Sequence, residues 1–65
     1  MSLFGLFDLI MGFYEAVIPG KYAERVINAL LRRGIPHGRV RRGADGSLRF
    51  SITRKNWREL RAVID

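Results

Sequence analysis

The sequence predicts an α+β domain: a short apolar N-terminal helix followed by βαββα, with a three-stranded mixed sheet and two helices packed on one of its faces. Three observations predict it. Residues 20–35, GKYAERVINALLRRGI, place Tyr22, Ala23, Val26, Ile27, Leu30 and Leu31 at spacings of three and four, which stacks them along one side of an α-helix. Residues 13–18 and 47–52 alternate between apolar and polar side chains, the period of a half-buried strand. Gly43-Ala44-Asp45-Gly46 is a hairpin turn, because Asp-Gly supplies the positive φ that such turns require.

The chain opens with MSLFGLFDLIMG, in which Asp8 is the only charged side chain. Leu3, Leu6, Phe7 and Ile10 make a helical stripe that Phe4, Leu9 and Met11 widen. A bilayer span needs about 20 such residues, so this segment is too short to be one. It has neither the basic start nor the small-residue cleavage site of a secretory signal. It is left to dock on the domain's own core, pack against another copy, or lie in a membrane surface. An interfacial helix usually carries Lys or Arg on its polar face, and none is present. The expected organisation is therefore a contact helix over 1–12 and a βαββα domain over 13–65.

In the strand 13–18, Tyr14, Ala16 and Ile18 face inward, and Phe13, Glu15 and Val17 take the other face. Pro19 cannot donate to a ladder and ends it. The helix that follows carries Lys21, Glu24, Arg25, Asn28, Arg32 and Arg33 on its wet side. Gly34 suits the left-handed position after a helix, where Ile35 meets Leu30 in a Schellman cap. Pro36 and Gly38 bracket His37 in a tight connection. Residues 37–42 are expected to be a strand with Val40 inward between Arg39 and Arg41. In the next strand, Leu48, Phe50 and Ile52 face the core. Thr53 can cap the last helix, which Trp57, Leu60 and Ile64 anchor with Val63 at the edge. The β-α-β step should be a right-handed crossover joining two parallel strands, with the last strand between them.

No catalytic constellation is found. The chain has 65 residues, a formal charge of +6, ten arginines among twelve basic residues, and no cysteine. Disulfides and thiolate metal sites are thereby excluded. The single histidine lies in Pro36-His37-Gly38, without the positioned partners that base catalysis needs. Asp8, Glu15, Glu24, Asp45, Glu59 and Asp65 are scattered, with no metal-ligand spacing. The glycines of 43–46 have no helix N-terminus behind them to cradle phosphate. The expectation is a domain without catalytic, cofactor or metal sites.

Two surfaces are candidates for contact. Leu3, Phe4, Phe7, Phe13 and Val17 form the apolar one. Arg39, Arg41, Arg42 and Arg49 form a basic one, since Arg39 and Arg41 sit at strand spacing and Arg49 can lie beside them. A small core in a chain of this size favours association, and the expected partner is a second copy. Arginines on a sheet could also track a phosphate backbone, so a nucleic-acid-binding module is the alternative. RNA-binding sheets usually stack bases on aromatics, and only Phe13 would be available. Acidic lipid is a third partner that the arginines could meet.

The runs GFYEAVIPG, AERVINALLRRGI, RVRRG and NWRELR, in that order, resemble the N-terminal region of the YqfD family of sporulation proteins. The positions that carry the resemblance are Gly12, Gly20, Glu24, Arg25, Asn28, Arg33, Gly34, Ile35, Leu60 and Arg61. The family usually has an apolar-Trp-Asp stretch after Arg-Gly-Ile, where this chain has Pro36-His37-Gly38-Arg39. The resemblance implies a non-catalytic role in endospore formation, on the cytoplasmic face of the membrane around the forespore in the mother cell. Other sporulation membrane proteins would be possible partners. Its element order is similar to that of ring-building motifs. The family continues into a membrane span and an extracytoplasmic part, so the resemblance also implies an excised domain or a reduced relative.

Overall fold

A computed structural model describes residues 5–10 and 12–64, the first of these segments by its backbone. The elements are β1 (Gly5–Ile10), β2 (Phe13–Ile18), α1 (Ala23–Arg33), β3 (Arg41–Arg42), β4 (Leu48–Thr53) and α2 (Arg54–Ile64), with a 3-10 turn over Gly20–Tyr22 before α1. The fold is α+β, as expected, with one sheet and two helices.

The N-terminal segment departs from expectation. Residues 5–10 form a strand, not a helix, and pair antiparallel with β2; residues 1–4 and 11 of the expected helix lie outside the described residues. A short apolar run fits both periods. Here Gly12, at φ 82, allows a tight reversal, and β1 pairs an edge of β2 that would otherwise be bare. The sheet is four-stranded in the order β1-β2-β4-β3.

It is also antiparallel throughout rather than mixed. β4 lies between β2 and β3 and runs against both. The two strands joined through α1 therefore point the same way without touching.

Ala16 and Ile18 of β2, with Leu48, Phe50 and Ile52 of β4, are buried on one sheet face. Ala23, Val26, Ala29 and Leu30 of α1 and Trp57 and Leu60 of α2 join them in a single core. Both helices thus cover that one face. Leu31, expected in the stripe, is 72% exposed, and Ala29 is buried instead. At about 100° per residue, Leu31 is turned well away from the arc between Val26 and Leu30.

Local chemistry sets the ends of the elements. Gly34 has φ 59 and ψ 38. Ile35 N–H donates to Leu30 O at 3.1 Å, and Gly34 N–H donates to Leu31 O at 3.4 Å. This is the Schellman closure expected from the sequence. Asn56 N–H donates to Thr53 Oγ1 at 3.3 Å and so caps α2. In the hairpin, Gly46 has φ 85, and Gly43 N–H donates to Ser47 O at 2.8 Å.

The strand expected over 37–42 is reduced to Arg41–Arg42, with Val40 36% exposed rather than inward. Gly38 N–H donates to Ser51 O at 2.7 Å, and Arg41 pairs with Arg49. Three steps on one chain, Gly38 to Arg41, oppose two on β4, Ser51 to Arg49. The extra residue is accommodated as in a β-bulge, which kinks the edge and breaks the inward-outward alternation.

Candidate functional site

The helices cover one face of the sheet; among the described residues nothing covers the other. Phe13, Glu15 and Val17 of β2, Arg49 and Ser51 of β4, and Arg41 of β3 lie on it. The strand registers place Phe13 opposite Thr53, Glu15 opposite Ser51, Val17 opposite Arg49, and Arg41 opposite Arg49. Phe13 is 47% exposed, while Val17 is half-buried.

Glu15 is the centre of this face. Arg41 Nη2 donates to Glu15 Oε2 at 2.8 Å, and Arg49 Nη1 donates to Glu15 Oε1 at 3.4 Å. One carboxylate on β2 thereby engages both neighbouring strands. Such charge-assisted bonds fix geometry, while partly exposed pairs add little to stability, roughly 0.2–1 kcal/mol each.

The four arginines singled out from the sequence are not a uniform basic patch. Arg41 and Arg49 are engaged by Glu15. Arg42 approaches Glu24 of α1 at 3.8 Å and donates to Gly46 O at 3.4 Å. Arg39 lies in the bulged segment and has no ion pair among the described residues. Of the apolar candidates, Phe13 and Val17 are on the uncovered face. Phe7 is in register with Glu15 across the β1–β2 pair. Leu3 and Phe4 lie outside the described residues.

Sequence reading missed where the charge resides. The segment 20–33 carries Lys21, Arg25, Arg32 and Arg33 against Glu24, and α2 carries Arg54, Lys55, Arg58 and Arg61 against Glu59. Eight basic groups against two acidic ones give the helical layer an excess of six, the whole formal charge of the chain. Elsewhere Arg39, Arg41, Arg42 and Arg49 balance Asp8, Glu15, Asp45 and Asp65. The spacing that set out each helix's wet face contained this information, but only the packing of both helices on one side of the sheet brings the two faces together.

Among the described residues, no group of His, Cys, Asp and Glu is arranged to hold a metal ion. His37 Nδ1 lies 2.8 Å from Ile35 O, and its ring meets Phe50 edge-on at 5.8 Å between centroids. It is an exposed side chain with structural neighbours. Asp45 is held below the ordinary carboxylate range, first by the Ser47 hydroxyl and then by the Ser47 N–H, which donate to Oδ1 at 2.7 and 3.0 Å. That bonding ties the hairpin turn. No described helix is long and apolar enough to cross a membrane.

Residues 8–65 match the family model described as "Putative stage IV sporulation protein YqfD". No curated protein and no solved structure gives a match.

Proposed function

Since the chain belongs to the YqfD family of sporulation proteins, we propose that it is a non-catalytic interaction domain that self-associates through its uncovered sheet face next to a membrane. The observation that carries this reading is the face itself. An exposed Phe13 and a half-buried Val17 flank a carboxylate already engaged by two arginines. A face of this kind can be buried without leaving Glu15 unpaired, which offsets part of the cost of desolvating its charge. From β2 to α2 the order strand-helix-strand-strand-helix is similar to that of ring-building motifs, a fold-level analogy in the same direction.

The location belongs to the same proposal: the cytoplasmic face of a membrane in the mother cell of a spore-forming bacterium, by the tendency of basic segments to stay on that side. Other sporulation membrane proteins are the further partners that it implies. The alternative, nucleic-acid binding by the sheet arginines, is less well supported, because Glu15 and Glu24 already engage three of them.

Molar mass by light scattering, across concentration and at low and high salt, tests the reading. A discrete oligomer that survives high salt and becomes monomeric in Phe13→Asp is expected, since apolar contact is not weakened by salt. A monomer at every concentration overturns it. Binding to RNA that falls steeply with salt and is lost in Arg39→Glu would favour the alternative.

A further inference from the structure

The helical layer carries a groove that the sheet-face reading does not use. Arg25, Asn28, Arg32 and Arg33 of α1 rim it, and Ala29 with Val63 and Ile64 of α2 supply its apolar wall. None of the three arginines takes part in an ion pair among the described residues. All three are exposed, as is Asn28. Free guanidinium groups beside an apolar wall are the composition of a protein interface, where arginine is enriched and carboxylates are its best partners.

Spacing narrows the occupant. Arg25 and Arg32 are seven residues apart on one helix, which separates them by about 10 Å along its axis at ~1.5 Å per residue. Asn28 lies between them on the same side. Two carboxylates seven residues apart on a partner helix have the same separation, and apolar residues three and four positions on from the first would meet the wall formed with Val63 and Ile64.

A second copy of this chain does not supply that pattern, because α1 has one carboxylate, Glu24, and α2 has one, Glu59. A flat anionic lipid surface would use the arginines but not the recessed apolar wall. A single-stranded nucleic acid is usually held by bases stacked on exposed aromatics, and a duplex would use the arginines through its phosphates but leave the apolar wall uncovered. Trp57, the only aromatic residue in either helix, is buried.

We infer that the groove between α1 and the end of α2 is a docking site for an acidic amphipathic helix of a partner protein, with Arg25 and Arg32 each taking one carboxylate. The site is separate from the sheet face, so it stands or falls independently of self-association.

The test uses the intact chain and a synthetic peptide of about 18 residues containing Glu-x-x-Leu-Leu-x-x-Glu, its helical length being what short peptides need to hold structure. In a titration followed by amide chemical shifts, the largest changes are expected at Arg25, Ala29, Arg32 and Val63. Arg25→Glu with Arg32→Glu should weaken binding at least tenfold, and a peptide with Lys in place of Glu should restore it. Arg25→Gln with Arg32→Gln should weaken binding without reversing the charge preference, with circular dichroism checking the fold. Equal binding of a peptide with Gln in place of Glu overturns the proposal. So do shifts confined to the sheet face, or preferential binding to phosphatidylglycerol vesicles or duplex DNA.

Discussion

Glu15 and Arg41 are joined at 2.8 Å although they sit on strands that do not touch: β2 carries one, β3 the other, and β4 runs between. The pair crosses the width of a strand on the face that the helices leave open. Replacing Glu15 by Gln should therefore change stability little, by about 1 kcal/mol or less, since both arginine partners are more than half exposed. Urea unfolding reads this. In the same variant, association should become more salt-sensitive, because two unneutralised arginines would then repel their counterparts on another copy.

Gly34 has the backbone geometry that a side chain opposes. Gly34→Ala should lower stability by about 1–2 kcal/mol, the cost of a Cβ in the left-handed region. Gly34→Asn should lose less. Thermal or urea midpoints would rank the three chains, and equal midpoints would contradict the cap.

Gly38 is tight for a different reason. A Cβ there would collide with Ser51 Oγ. Gly38→Ala should destabilise the chain, and adding Ser51→Gly should recover part of the loss. That non-additivity, measured as a double-mutant cycle, would show that the two positions share one space.

Phe50 lies at the centre of the core and is 1% exposed. Phe50→Ala should cost about 3–5 kcal/mol, which is most of what a domain this small has to lose. Loss of near-ultraviolet circular dichroism from Trp57 would report it.

Asp45 gives a pH dependence with a fixed sign. Its folded carboxyl lies below the ordinary value of 3.8 because the Ser47 hydroxyl and N–H donate to it. The stabilisation is present above the unfolded value and is lost as pH falls through the folded one. Unfolding midpoints measured between neutral pH and pH 2 should fall more steeply at the acid end in the native chain than in Asp45→Asn.

The parts of the fold legible in the sequence were those governed by neighbours along the chain. Gly34 with Ile35, the alternation that buries Ala16 and Ile18, the Asp45-Gly46 turn and the Thr53 cap are all local, and each is found where its chemistry puts it; Tyr14, expected inward with them, is only half-buried and outside the core. What was not legible depended on distant partners. Residues 5–10 satisfy a helical and an extended period alike, and pairing with β2 decides between them. Val40 faces outward because Gly38 bonds to Ser51 and throws the strand out of step. The sheet arginines looked free because Glu15 is 26 and 34 residues away from Arg41 and Arg49.

The two borders of the sheet are unlike. On one side β3 has two residues and a bulge behind it; on the other β1 has six residues, with an irregularity of its own in the pairing with β2 between Asp8 and Ile10. The extra residue at Arg39 and Val40 shortens and kinks the β3 border, a form of edge that is a poor template for pairing with another sheet.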